Sequence, residues 1–333
     1  MSNAKEKPKV TATALIEKLE NEKGITFHYI NKQNAARYLI EKNNYLRTAS
    51  YRKNYPKHLN GSQNGKYINL DFAYLIELSI IDMYFRELLL NMCIDVEHDL
   101  KVKIISDVEK NNAEDGYNIV KLFLKAYPAT LRNIEQKIDS VFVGPLINNY
   151  FEIVQVFTTH SDEKEASLKN RILSVDCPVW VFLEIISFGN LIKFAEFYYH
   201  YYYHNLPACY KFSVLNPVKS LRNACAHNNC LLNNLTTRNV SPPADITKFA
   251  AHRLKITRNQ RKRCLSLRPI FEFTTLLYLY DTIVSEKVRK HGIDKLSHFI
   301  NGRMCEKASY FKENNTLTET YNYLKKCVDN LCD

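Results

Sequence analysis

The segment Arg222-Asn223-Ala224-Cys225-Ala226-His227 places an arginine and a histidine five positions apart. That pair suits cleavage of RNA. The reaction needs a base for the 2′-hydroxyl proton, an acid for the leaving oxygen and a cation for the phosphate. Imidazole titrates near neutrality and serves as acid or base. Guanidinium stays charged and grips phosphate with a planar fork. Neither metal nor cofactor is needed for such chemistry, and none is expected here. Of the chain's 15 arginines, only Arg222 has a histidine five residues on. The spacing alone also describes a structural or surface histidine.

Positioning these groups is a problem of helix geometry. Asn216-Pro217 reads as an N-cap and a first-turn proline, and the helix they open carries Arg222 to His227 and stops near Asn228-Asn229. Five positions turn about 140° around a helix, so Arg222 and His227 do not share an ideal face. Asn223 and His227, four apart, do. Asn223 is therefore expected to orient His227 while the long Arg222 side chain reaches round. One chain supplies one such histidine. Acid and base together then require a second copy, most simply across a two-fold axis, so a homodimer is expected.

The remaining elements read as helices. Gly and Pro are scarce, at 8 and 10 of 333 residues, which disfavours an all-β fold. A helix from Val10 to Lys23 ends at Gly24, and Asn31 caps a second one through Ile40. The stretch from His58 to Lys66 reads as a loop, with a soft boundary there. One long amphipathic helix runs from Asp71 to about Lys110, with Leu75, Leu78, Tyr84, Leu88, Cys93 and Val96 near a period of 3.6. It is expected to pack against the helix from Pro217. Further helices are expected over Leu131–Phe157, bent near Gly144-Pro145, over Trp180–Phe197 after Pro178, from Arg268-Pro269 through Val288 to near Gly292, over Asp294–Phe311 and over Leu317–Leu331. The aromatic run Tyr198 to His204 fits either a buried helix end or a base-stacking platform. The domains expected are an N-terminal helical and basic subdomain over 1–60 and a helical domain over 61–333.

Composition narrows the partners. The formal net charge is +11. A polyanion is the natural partner, nucleic acid first and an acidic membrane surface second, the plain alternative being a solvated basic surface. A basic stretch, Arg253, Lys255, Arg258, Arg261, Lys262 and Arg263, followed by Arg268, contains no acid. Such runs either contact a phosphate backbone or form a solvated loop. The N-terminus is polar without an apolar signal core, and no run of 18 apolar residues exists, so a membrane role is not expected. The nine cysteines form no Cys-x-x-Cys and read as reduced thiols of a cytoplasmic protein. Cys225, His227 and Cys230 lack the second ligand pair that a zinc site needs.

Three stretches resemble the Abi-like family, the abortive-infection phage-resistance proteins of bacteria within the HEPN superfamily. The first is Lys7-Pro8-Lys9 through Gly24, with Tyr45-Leu46-Arg47 and Tyr51-Arg52. The second is Phe85-Arg86-Glu87-Leu88 with Asp95-Val96-Glu97. The third is Pro178-Val179-Trp180-Val181-Phe182-Leu183-Glu184 with Phe188-Gly189, followed by Leu221-Arg222-Asn223-Ala224-Cys225-Ala226-His227-Asn228. The resemblance implies an all-α, HEPN-type helical bundle with an N-terminal helical extension, a dimeric composite site and RNA cleavage leaving a cyclic phosphate. It carries over Arg222, Asn223 and His227 as motif positions. Glu97 matches an acidic position on the preceding long helix, where catalysis and packing or arginine pairing weigh evenly. The family often has an arginine three residues after the histidine, then Leu and, two on, Asn. Here those positions hold Cys230, Leu231 and Asn233.

Three functions from different classes follow as expectations. The first is a metal-independent endoribonuclease in phage defence or a toxin system, with an RNA or protein antitoxin as a further partner. The second is a helical dimer that holds RNA without cutting it. The third is a scaffold in which the motif only packs.

Overall fold

The computed structural model describes residues 9–158, 167–203 and 206–332. Lys7, Pro8 and His204, singled out above, lie outside the described residues. Among the described residues the fold is all-α apart from one two-stranded sheet. The helices and strands are α1 (Ala12–Asn21), α2 (Lys32–Glu41), α3 (Tyr45–Ser50), α4 (Phe72–Glu109), α5 (Asn118–Ala126), α6 (Pro128–Glu135), α7 (Gly144–Tyr150), β1 (Phe151–Thr158), β2 (Ser167–Val175), α8 (Val179–Ile185), α9 (Phe188–Tyr202), α10 (Phe212–Ala226), α11 (Ala244–His252), α12 (Arg258–Cys264), α13 (Arg268–Thr282), α14 (Glu286–Asn301) and α15 (Asn315–Asp329). Among the described residues no helix is long and apolar enough to cross a membrane.

The chain divides into two compact units. The first comprises Met1–Ile94, Ser220–Asp281 and Ser285–Asp333; the second comprises Asp95–Lys219 and Thr282–Val284.

In the first unit, local chemistry sets the helix starts. Thr11 and Asn31 accept from the amides of Ala14 and Asn34, as N-caps should. Asp71 caps the long α4: Oδ1 accepts from the Ala73 amide, while Oδ2 accepts from Thr26 and the His28 amide. The buried stripe of α4 in this unit is Leu75, Leu78, Phe85, Leu89 and Cys93. Tyr84, expected in that stripe, is exposed, because the stripe passes through Phe85 instead. Phe85 stacks on Phe299 of α14 and tilts against Phe273 of α13, with ring centroids 6.1 and 5.7 Å away. Burial of such rings supplies most of the stabilisation available to a helical core.

The second unit has an aromatic core. Phe123 of α5 meets Phe182 of α8 and Phe194 of α9 at 5.8 and 5.2 Å. At the end of α9, Tyr198 and Tyr199 are buried while Tyr201 and Tyr203 are exposed. Tyr199 stacks on Tyr210 at 4.3 Å and donates its hydroxyl hydrogen bond to Asp107 at 2.6 Å.

Five expected helices differ; one of them, expected over Asp294–Phe311, begins instead at Glu286 and ends at Asn301, with two short 3-10 turns after it. The helix expected over Leu131–Phe157 is instead α6, α7 and β1. From Phe151 the order Phe-Glu-Ile-Val-Gln-Val-Phe-Thr is rich in β-branched and aromatic residues, and it finds an antiparallel partner in β2, with Phe151 opposite Val175 and a bulge at Glu152/Ile153. The helix after Pro178 breaks into α8 and α9 because Ile186 is extended and Ser187 caps the Asn190 amide. Pro217 lies inside α10 rather than at its start. Val214, Leu215, Val218 and Leu221 are buried at helical spacing, and their burial outweighs the one backbone hydrogen bond the proline removes. Gly292 sits within α14 and does not end it. A Cβ there would lie 2.6 Å from the Tyr280 hydroxyl, so the glycine serves close packing. The helix through Val288 stops at Thr282, and the next begins after Ser285.

Candidate functional site

All of Arg222, Asn223 and His227 fall in the first unit, in the last turn of α10 and the residue beyond it. The helix ends in a Schellman arrangement. Asn228 takes φ +58°, its amide donates to Cys225 O at 3.0 Å, and the Asn229 amide donates to Ala224 O at 2.8 Å. Asparagine tolerates this left-handed position better than most residues. His227 is thereby held at the helix end, its amide donating to Asn223 O at 2.9 Å, with its side chain exposed. Asn223 is also exposed and Arg222 is half-buried. Arg222 Nη1 donates to Asn223 Oδ1 at 3.4 Å.

Two residues far away in sequence fix this terminus. Arg47 of α3 donates from Nη2 to the carbonyl oxygen and Oδ1 of Asn228, at 2.5 and 2.6 Å. A cation on the C-terminal carbonyls also suits the negative end of the helix dipole. Asp82 of α4 lies fully buried. It accepts the amides of Leu231 and Leu232, at 3.1 and 3.0 Å, and the Tyr51 hydroxyl at 2.6 Å, and it pairs with Arg86. Burial pushes the Asp82 carboxyl up, and Arg86, Tyr51 and the two amides pull it back. Asn54 then takes the next step of the loop, donating to Leu232 O at 2.7 Å and accepting from the Leu235 amide at 2.8 Å. The segment after the motif is therefore built onto α3, α4 and the turn after α3. Arg47 and Arg86 stand in the resemblance above without a role. Asp82 and Asn54 carried no signal of this role, since the loop groups they hold are 149 to 181 residues away.

Cys225 is buried, and burial pushes its thiol up to about 12, against the pull of Arg86. Cys230, in the place of the family's frequent arginine, is half-buried and meets the Tyr51 hydroxyl. Among the described residues no group of three His, Cys, Asp or Glu side chains is placed to hold a metal ion. Glu97 is half-buried on α4, within the second unit.

The basic stretch also lies in the first unit but does not act as one surface. Arg253 donates to Asn330 O at 2.5 Å and lies 3.6 Å from Asp281. Arg263 pairs with Glu319 at 2.7 Å, and Arg261 turns back to the Ile256 carbonyl. The stretch is helical rather than a loop over α12, which Thr257 and Gln260 start with a capping box. Lys255, Arg258 and Lys262 are exposed. Arg258, Arg261 and Lys262 line a surface hollow of about 690 Å³ with Ser241, Asn259 and Ser266.

The arrangement can carry out proton transfer at an exposed imidazole with an arginine five residues earlier, on a capped helix end. A family model described as Abi-like protein matches residues 38–233, more than half of the chain. That span runs from α2 through the motif to Asn233. No curated protein and no solved structure matches the chain.

Proposed function

The chain belongs to the Abi-like protein family, and from that premise we propose that it is a HEPN-type, metal-independent endoribonuclease of phage defence. It cuts RNA at a site composed from two copies of the chain. One imidazole takes the proton of the 2′-hydroxyl, and O2′ then bonds to phosphorus. The bond from phosphorus to O5′ breaks, and the second copy's His227 protonates the leaving oxygen. The products are a cyclic phosphate and a 5′-hydroxyl. Arg222 stabilises the charge that grows on the phosphate, an interaction strongest in the transition state. Asn223 positions Arg222, through the contact between them. Lys255, Arg258 and Lys262 hold the RNA backbone away from the chemistry.

The observation that carries this reading is the exposed His227 on a helix end fixed by Arg47 and Asp82. A histidine serving only packing has no need of that presentation. A second reading, an RNA-binding dimer that does not cut, is favoured by Cys230 in the arginine's place.

The test uses purified wild type and His227→Ala on total and transfer RNA, with EDTA present. Acid–base catalysis contributes about 10²–10⁴-fold, so cleavage by the wild type and its loss in the variant, at unchanged melting temperature, are expected. Equal cleavage by both proteins, or loss of wild-type cleavage in EDTA, overturns the mechanism. Intact RNA that is nevertheless bound favours the second reading.

A further inference from the structure

Beside the motif, between the end of α10 and the start of α13, lies a polar cleft of about 290 Å³. Asn229, Cys230, Asn233, Asn239, Arg268 and Glu272 line it. Glu272 is the group the proposed mechanism leaves unused. It is only 6% exposed, yet it opens on the cleft and keeps a charge-bearing side chain inside the unit. Arg268, one turn earlier on α13, holds Glu272 Oε1 through Nε at 2.8 Å, with its own side chain 63% exposed. A buried carboxylate is costly, and an apolar residue of similar volume usually serves stability as well. A buried acid beside an exposed arginine, both facing a cleft, is a common signature of a recognition site. Burial pushes the Glu272 carboxyl up and Arg268 pulls it back.

We propose that this cleft is a nucleobase pocket, in which Glu272 and Arg268 read the edge of guanine next to the cleaved phosphate. The RNA context rests on the ribonuclease reading above; the pocket's chemistry does not. Its volume is at the lower end of small-molecule sites, roughly 300 Å³, which suits one base rather than an oligonucleotide. The edge chemistry selects the base. An ionised carboxylate only accepts, and a guanidinium only donates. Guanine presents the acceptor O6 beside the donors N1–H and N2–H. O6 takes a terminal N–H of Arg268, and the two donors meet Glu272. Adenine and cytosine would set an unprotonated ring nitrogen against the carboxylate, and uracil would set O2 there. The asparagine amides, each donor and acceptor, complete the wall.

The walls are preformed. Asp82 and Asn54 pin Leu231, Leu232 and Leu235 on one side. On the other, Arg238 pairs with Leu267 just before α13. Ala224 and Asn229, which line the cleft, stand three before and two after His227 in the chain. A base seated there puts its phosphate near the helix end that presents His227.

The test titrates the four 3′-mononucleotides into wild type, His227→Ala, Glu272→Gln and Arg268→Ala, by calorimetry, and maps cuts in oligonucleotides carrying one guanine. Guanosine 3′-monophosphate is expected to bind wild type and His227→Ala about tenfold tighter than the uridine nucleotide, as one good base pairing allows. Both pocket variants should lose that preference while still unfolding cooperatively and binding no nucleotide better than another. Should Glu272→Gln fail to fold, Arg268→Ala, altered at an exposed side chain, carries the test. Equal affinities for all four nucleotides, or binding to none, overturn the pocket. RNA cut by the wild type without regard to guanine overturns it too, and leaves the ribonuclease reading standing. Guanine-selective binding by a protein that cuts no RNA supports the pocket and removes the ribonuclease reading.

Discussion

Replacing Asp82 with alanine is expected to destabilise the first unit by about 4–6 kcal/mol. The figure follows from what the carboxylate holds. Its partner Arg86 is itself only 5% exposed, and breaking a buried pair by removing one member costs about 3–5 kcal/mol. The amides of Leu231 and Leu232 would lose their acceptor inside the unit, at roughly 1–3 kcal/mol for each orphaned donor. These losses overlap, because the loop can relax toward water, so the total lies below their sum. A loss of that size is a large part of the 5–15 kcal/mol that a native domain typically has. Asp82→Asn keeps an acceptor for the amides but loses the charge, and should fall well short of the alanine variant. Replacing Asp82 and Arg86 together by Leu and Met should be milder than Asp82→Ala alone, since no unpaired charge remains.

Two measurements check this. Urea unfolding gives the overall change. Hydrogen exchange at the Leu231 and Leu232 amides reads the anchor itself, with about tenfold faster exchange for each 1.4 kcal/mol lost. Cleavage of RNA should fall with the anchor, because the segment after His227 is freed. An Asp82→Ala variant that loses under 1 kcal/mol and keeps both amides protected would refute the reasoning. So would strict additivity of Asp82→Ala and Arg86→Ala in a double-mutant cycle.

Other outcomes follow from the same contacts. Arg47→Ala should change stability by less than about 1 kcal/mol, since the contact is exposed, while slowing cleavage several-fold; a rate equal to wild type would show that Asn228 needs no clamp. Asn228→Gly should be neutral, whereas Asn228→Val should cost about 1–2 kcal/mol at the left-handed position; thermal melts decide. Neutralising Lys255, Arg258 and Lys262 should flatten the slope of log affinity against log salt by roughly 2 for single-stranded RNA. Changing Arg253 and Arg263, which already hold Asn330 and Glu319, should lower the melting temperature and leave that slope nearly unchanged. The carboxyl of Glu272 titrates above its ordinary value of 4.5. Its contribution therefore favours folding in acid and is lost as pH rises through the folded value. Wild type should lose stability relative to Glu272→Gln as pH rises from that ordinary value, and parallel pH profiles would contradict this.

Much of the scaffold was legible in the order of residues. Scarce glycine, the long 3.6-residue apolar period from Leu75 to Val96 and the caps at Thr11 and Asn31 are local facts, and local hydrogen bonding honours them. The motif's place at a helix end was legible too, since Asn228-Asn229 supplies the left-handed cap within four residues. Tertiary structure alone decided what competes with local preference. Residues 151–158 follow the helix α7 directly, and it is the partner strand at Ser167–Val175, not a turn signal between them, that marks where the helix gives way to a sheet. Pro217 would open a helix by itself, but buried Val214 and Leu215 extend α10 before it. The seven basic residues from Arg253 to Arg268 read as one patch, yet acids and carbonyls arriving from Asp281, Glu319 and Asn330 divide them. Above all, Asp82, Asn54 and Arg47 meet the motif's loop across 149 to 181 residues of chain. No spacing in a sequence encodes such a meeting. It exists because α3 and α4 pack where their apolar faces are buried, and the polar groups left inside must then find one another.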